Sequence, residues 1–258
     1  DNGVATAIYA ACKATVKVGD GKEITLHEET NYPFEEAIAF TVSTDEKVAF
    51  PFYLRIPSWT QKAEVRVNGK KVSVTPVAGK YLCINREWAN GDRVELTLPM
   101  SLSMRTWQVN KNSVSVDYGP LTLSLKIAEK YVEKDSRETA IGDSKWQKGA
   151  DPQKWPTTEI YPDSPWNYSL VLDKKEPLKN FKVIRKSWPA DNYPFTATSV
   201  PLEVKAIGRP VPEWKIDETG LCGVLPEEDA VKGDKEEITL IPMGAARLRI
   251  SAFPNTKE

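Results

Sequence analysis

The sequence predicts an all-β protein built from two β-sandwich, jelly-roll-like domains. Three observations support this prediction: short runs of alternating apolar and polar residues, turn signals between those runs, and no convincing amphipathic helix of three turns. The first hundred residues are dense in such runs, as is typical of a β-sandwich. A length of 258 residues is sufficient for two domains of ordinary size.

Alternation is clearest in the first half of the chain. Residues 22–28, 37–43 and 50–56 each place every second side chain on one face of a sheet. Asn68-Gly69 separates two further runs and predicts a two-residue hairpin, because both residue types accept the positive φ of a type I′ turn.

The second half has weaker signals. Strands are predicted at 168–172, 182–184 and 202–206, and a final hairpin at 237–251. Residues 129–168 are rich in Trp, Lys, Asp and Pro and are predicted to form a long structured loop.

The final hairpin determines the predicted domain organisation. A strand that ends a chain gains most by completing a sheet whose edge would otherwise be open. We therefore expect a first sandwich of residues 1–112 plus 238–256, with a second sandwich of residues 113–237, including its long loops, inserted between them.

Charge and hydropathy exclude two classes of partner. The chain has 35 Lys and Arg residues and 36 Asp and Glu residues, so it has no basic excess with which to bind nucleic acid. No apolar run approaches the roughly 18 residues of a membrane helix. We expect neither a nucleic acid nor a membrane as partner.

Few residues are candidates for catalysis or metal binding. His27 is the single histidine, and Cys12, Cys83 and Cys222 stand far apart, without the spacing of metal ligands. We expect these cysteines to be small core residues. Carboxylate doublets such as Glu28-Glu29 are numerous, but neighbours on a strand point to opposite faces and cannot line one site. The chain is therefore predicted to hold no catalytic residue, metal or cofactor.

Aromatic residues are the candidates for binding carbohydrate, since flat rings can stack on the apolar faces of sugars. Trp146 and Trp155 are the best of them, because they lie in polar, Lys-rich sequence where no periodicity implies burial.

Several motifs, in the same order, resemble the C-terminal half of the β-L-arabinofuranosidase-type glycoside hydrolases, family 127 and its relatives, formerly described as a domain of unknown function. The resemblance covers most of the chain and is weakest over 129–165. The motifs that carry it are Leu54-Arg-Ile-Pro-Ser-Trp59, Val65-Arg-Val-Asn-Gly69, Ile84-Asn-Arg-Glu-Trp88, Gly119-Pro-Leu121, Trp166-Asn-Tyr168 and residues 238–254.

The resemblance implies an (α/α)₆ catalytic barrel followed by two β-sandwich domains. In that family the nucleophilic cysteine, a zinc site and the acid/base glutamate all lie in the barrel, in sequence that nothing here matches. The chain, which starts without Met, is thus expected to be part of a longer protein, packing on a barrel through a surface near Tyr32, Phe34 and Trp59. Resemblance alone implies a bacterial parent and a periplasmic or other extracytoplasmic location; the sequence itself leaves location unknown.

Three functional hypotheses remain open. The first is an accessory region of a glycoside hydrolase acting on arabinofuranosides or related plant glycans, and it fits the motifs best. The alternative is an autonomous carbohydrate-binding module, which requires aromatic residues on one exposed face. The third is an independent enzyme, which requires convergent carboxylates in a pocket.

Overall fold

The computed structural model describes residues 2–134, 151, 153–218, 220–227 and 233–257. Regular structure in these residues is almost entirely β-strand, which confirms the predicted all-β class. No helix in this part of the chain has the length and apolar character that a bilayer crossing requires. The chain divides into two compact units. The first comprises Asp1–Ser103 and Asp117–Leu121, and the second Met104–Val116 and Thr122–Glu258.

The first unit is a β-sandwich. One sheet has the strand order β1-β5-β8 and the other β2-β3-β4-β9-β6-β7, and apolar side chains from both sheets form one continuous core. The strands are β1 (Val4–Thr6), β2 (Cys12–Val18), β3 (Lys22–Thr30), β4 (Ala37–Ser43), β5 (Val48–Arg55), β6 (Glu64–Val67), β7 (Lys70–Lys71), β8 (Tyr81–Trp88) and β9 (Arg93–Thr97).

The predicted alternation sets the faces of this sandwich. In β5, Val48, Phe50, Phe52 and Leu54 are buried, while the residues between them are not. The predicted hairpin is also confirmed, since Asn68 and Gly69 have φ values of 50° and 77° between the paired strands β6 and β7.

The second unit is organised around an extended sheet. Its strand order is β10-β11-β12-β18-β17-β15-β19, with β16 added beside β17, and β13 pairs with β14 as a separate ribbon. The strands are β10 (Leu102–Trp107), β11 (Ser113–Tyr118), β12 (Leu121–Leu125), β13 (Glu129–Lys134), β14 (Thr157–Pro162), β15 (Tyr168–Leu172), β16 (Lys182–Arg185), β17 (Leu202–Pro210), β18 (Glu236–Pro242) and β19 (Asn255–Lys257).

The predicted return of residues 238–256 to the first sandwich is wrong, and so is the insertion of 113–237 between its two parts. Strand β18 pairs with β12 and β17, and the whole segment belongs to the second unit. The Leu125 amide donates to the carbonyl of Ile250 (2.9 Å), and Phe253 bridges to Val114. Residues 246–251 do not form the second strand of the predicted hairpin. Ile250 is nevertheless buried and Arg247 exposed, as the alternation predicted. Alternation shows which side chains are buried but does not identify the sheet that buries them.

The predicted loop over 129–168 contains the β13–β14 ribbon. Its register pairs Glu129 with Pro162 and Lys134 with Thr157. Most of its side chains are exposed or half-buried, so neither face shows the apolar periodicity by which strands are recognised in sequence.

Candidate functional site

An aromatic cluster in the first unit contains two of the three residues predicted to face a barrel. Tyr32 and Trp59 are half-buried and hydrogen-bonded to each other through their side chains. The Tyr32 ring meets Tyr9 edge-on, with ring centroids 5.8 Å apart, and the Tyr9 hydroxyl donates to the carbonyl of Arg55 (2.5 Å). Ile8, next to Tyr9 in the chain, is 81% exposed. We call Ile8, Tyr32 and Trp59 the Tyr32 surface.

Phe34, the third predicted residue, does not contribute to this surface. Its side chain is 4% exposed, and its amide donates to the carbonyl of Asn31 (3.0 Å) in the turn that follows Tyr32. This turn directs the Phe34 ring into the protein.

A buried carboxyl group lies beneath the N-terminal segment of the same unit. Glu28 is 5% exposed and occupies the core-facing side of β3, in line with Ile24 and Leu26. Its Oε1 accepts the Ala10 amide (3.0 Å), and its Oε2 accepts the Cys12 thiol (3.9 Å). Burial raises the pKa of Glu28 to about 7.

The carboxylate doublet of β3 has one buried and one exposed member. Glu28 and Glu29 point to opposite faces of β3, as predicted, and Glu28 is the one that is buried. Glu29 is exposed and pairs with Arg93 (3.3 Å). The sequence contains a signal for the burial of Glu28, because a glutamate occupies a position at which the alternation of β3 predicts an apolar side chain.

The cysteines differ from their predicted role as core residues. Cys12 and Cys222 are exposed, and Cys83 is half-buried. The partial burial of the Cys12 thiol and the neighbouring charge of Glu28 raise its pKa, which disfavours the reactive thiolate. Within the described ranges, no three His, Cys, Asp or Glu side chains are grouped so that they could hold a metal ion.

The outer face of the six-stranded sheet carries a polar groove of about 480 Å³. Arg66 and Arg93 both line it, and Arg93 is paired with Glu29 (3.3 Å) and Glu95 (3.4 Å). The lining contains no aromatic ring. This groove lacks the stacking surface expected of a sugar site.

The two tryptophans predicted to contact carbohydrate have different outcomes. Trp146 lies outside the described residues. Trp155 is 72% exposed, in a turn where its amide bonds to the carbonyl of Asp151 (3.2 Å). It lines none of the grooves described for this chain.

A groove of about 640 Å³ in the second unit brings together residues that the sequence reasoning did not select. Tyr131 of β13 is 52% exposed on its wall. Glu129 accepts the Tyr131 hydroxyl (2.5 Å) and the backbone amide of Arg247 (3.3 Å). Arg247 is distant in sequence from the other two residues, and Glu129 and Tyr131 lie in a segment predicted to be a loop. No local sequence pattern could therefore have grouped the three.

An apolar pocket of about 300 Å³ adjoins this groove at Ile127 and Arg247. Trp166 lines it and packs edge-on against Trp214. The neighbouring Asn167 donates its side-chain amide to the carbonyls of Val211 (2.9 Å) and Trp214 (3.1 Å), so this amide is engaged in internal hydrogen bonds.

By its fold, the chain is an all-β protein of the β-sandwich class. Residues 3–100 match the family model of the β-L-arabinofuranosidase GH127 middle domain, which confirms the resemblance seen in the sequence over that segment. No curated protein matches the chain.

Solved structures extend the likeness to the whole chain. One is a GH127 β-L-arabinofuranosidase from Geobacillus stearothermophilus T6, with 21% identity and a TM-score of 0.63 over 99% of this chain. Another is a GH127 β-arabinofuranosidase with 22% identity and a TM-score of 0.63 over 99%, and a third is a glycoside hydrolase with 22% identity and a TM-score of 0.60 over 98%. The chain spans 34–36% of the length of these structures. At this identity, the likeness shows the fold alone.

Proposed function

We propose that this chain is a non-catalytic accessory region of a GH127-type glycoside hydrolase. The observation that carries the proposal is the match of residues 3–100 to a domain defined as the middle domain of such enzymes. The solved neighbours are about three times as long as the chain. In this proposal, the remaining length of the parent supplies an (α/α)₆ barrel with the catalytic residues and zinc.

The placement of the carboxylates supports a non-catalytic role. Glycoside cleavage requires two carboxyl groups, or an equivalent pair, facing one sugar at about 5–10 Å from each other. Glu28 accepts hydrogen bonds from Ala10 and Cys12 inside the first unit, whereas Glu29 forms an ion pair with Arg93 on its surface. This doublet therefore cannot act on one substrate.

The Tyr32 surface is the proposed contact with the barrel. Ile8 exposes most of its side chain, although its neighbour Tyr9 is buried. An exposed isoleucine that precedes Tyr9, whose ring packs against the half-buried Tyr32, is the composition expected of a contact surface between domains. Burying it in the parent contributes apolar stabilisation that the isolated chain does not have.

The parent is proposed to act on arabinofuranosides, as the names of two structural neighbours state for those enzymes. The test compares the purified chain with the full-length parent on a synthetic aryl β-L-arabinofuranoside. We expect turnover by the parent and none by the chain. Turnover by the chain that a point substitution within it abolishes would contradict the non-catalytic role.

The contact surface is tested by Ile8→Ser, with Val74→Ser as the matched control, since Val74 is also exposed in the first unit. In the isolated chain, we expect both variants to melt like the wild type. In the parent, Ile8→Ser lowers the melting temperature and Val74→Ser does not. Equal melting temperatures for the two parent variants would refute the assignment of this surface.

The second candidate function, binding of carbohydrate by the chain itself, is favoured by the groove at Tyr131.

A further inference from the structure

We propose that the groove at Tyr131 in the second unit is a binding site for a short neutral oligosaccharide. This goes beyond the accessory role proposed above, because it requires neither a barrel nor catalysis. At about 640 Å³, the groove falls within the roughly 300–1,000 Å³ typical of small-molecule sites.

The first argument is the fixed aromatic wall. The Tyr131 ring is half exposed, and its hydroxyl is held by Glu129 at 2.5 Å. The guanidinium of Arg247 lies 6.0 Å from the ring centroid and 3.6 Å from Glu129 Oε2. A ring anchored on two sides offers apolar area for stacking and loses little conformational entropy when a ligand binds.

The second argument is the mixture of hydrogen-bonding groups beside the ring. The hydroxyls of Ser164, Thr196 and Thr198 line the groove, and hydroxyls both donate and accept. Thr196 and Thr198 are within 3.1 Å of each other, and Ser164 accepts the Ala128 amide (2.9 Å). Sugar hydroxyls likewise donate and accept, so such a lining is complementary to them.

The third argument is charge, which selects a neutral ligand. Two cations line the groove, Lys126 and Arg247, and each is paired with a carboxylate. Glu203 lies 2.7 Å from Lys126 and also pairs with Lys186 (2.9 Å), while Glu129 compensates Arg247. An acidic ligand would have to compete with these carboxylates, whereas a neutral one need not.

The test uses the purified chain and isothermal titration calorimetry. The probes are neutral trisaccharides of arabinose, xylose and galactose, with trigalacturonate as the anionic counterpart. We expect saturable binding of at least one neutral trisaccharide with a Kd on the order of 1 mM or lower, and weaker binding of trigalacturonate.

Three variants locate the site. Tyr131→Ala weakens binding about tenfold or more, because the stacking ring is lost. Tyr131→Phe keeps the ring and stays within about threefold of the wild type. Tyr161→Ala is the matched control, since Tyr161 lies on the opposite face of the same ribbon, and its hydroxyl likewise donates to the glutamate two residues before it. We expect its affinity to be unchanged.

Several results would overturn the proposal. The first is that none of the neutral trisaccharides shows saturable binding up to about 10 mM. The second is that Tyr131→Ala and Tyr161→Ala bind with equal affinity. The third is that trigalacturonate binds more tightly than the neutral probes. Should Tyr131→Ala fail to melt like the wild type, Arg247→Gln replaces it, with the same expected loss. None of these results bears on the activity of the parent, so the accessory role is tested separately.

Discussion

Removing the charge of Glu28 should stabilise the first unit at neutral pH and not at acid pH. The carboxyl group is buried on the core side of β3, and this burial raises its pKa from the usual 4.5 to about 7. Each pKa unit corresponds to about 1.4 kcal/mol. Ionised Glu28 therefore costs the folded state up to about 3 kcal/mol relative to the unfolded chain.

The sign of the pH dependence follows from the two pKa values. Below about pH 4.5 the group is protonated in both states and contributes nothing. Between about 4.5 and 7, the unfolded chain releases its proton while the folded protein retains it, so stability falls as the pH rises. Above about pH 7 the full cost is present.

Glu28→Gln keeps an oxygen that accepts the Ala10 amide and removes the charge. We expect its free energy of unfolding to exceed that of the wild type by up to about 3 kcal/mol at pH 8, and to equal it near pH 4.5. Glu29→Gln is the control. This substitution breaks an exposed ion pair with Arg93 and should lower the free energy of unfolding by less than about 1 kcal/mol.

Hydrogen exchange of β3 peptides along a urea titration reports on the first unit by itself, at pH 4.5, 6, 7 and 8. Destabilisation of the unit by Glu28→Gln at pH 8 would contradict this prediction, and so would an effect that is the same at all four pH values. In either case the buried carboxyl group would not be the source of the pH dependence.

Three further substitutions test the packing of the first unit by urea or thermal unfolding. Gly119→Ala should cost about 1–3 kcal/mol, because φ is +55° and a Cβ would lie 2.6 Å from Met100 Cγ; an unchanged midpoint would contradict this. Trp88→Phe should cost about 2 kcal/mol, since it removes the buried bond from Nε1 to the carbonyl of Phe50 (3.0 Å); a loss below about 0.5 kcal/mol would contradict it. Burial raises the pKa of Asp92, but backbone and side-chain hydrogen bonds outweigh it and lower the pKa overall. Asp92→Asn should therefore destabilise most above the usual pKa of 3.8 and progressively less as the pH falls below it, and an equal loss at pH 2.5 and pH 7 would refute this.

The sequence by itself determined the all-β class, most strands of the first unit and the hairpin at Asn68-Gly69. These features depend on contacts between residues close in the chain, or on the faces to which successive side chains point. The predicted run 37–43 matches β4 residue for residue, because apolar and polar side chains alternate without interruption there. The family resemblance was also present in the sequence, because its motifs surround these same turns and strands.

Only the tertiary structure decided which sheet the C-terminal segment joins and which residues meet at a site. The alternation over 246–251 shows burial of Ile250 but not that its carbonyl accepts the Leu125 amide. Glu129 and Arg247 meet across 118 residues of sequence. The physical reason is the same in both cases: periodicity records the faces of an element, whereas partners distant in sequence are chosen by the packing of the whole unit.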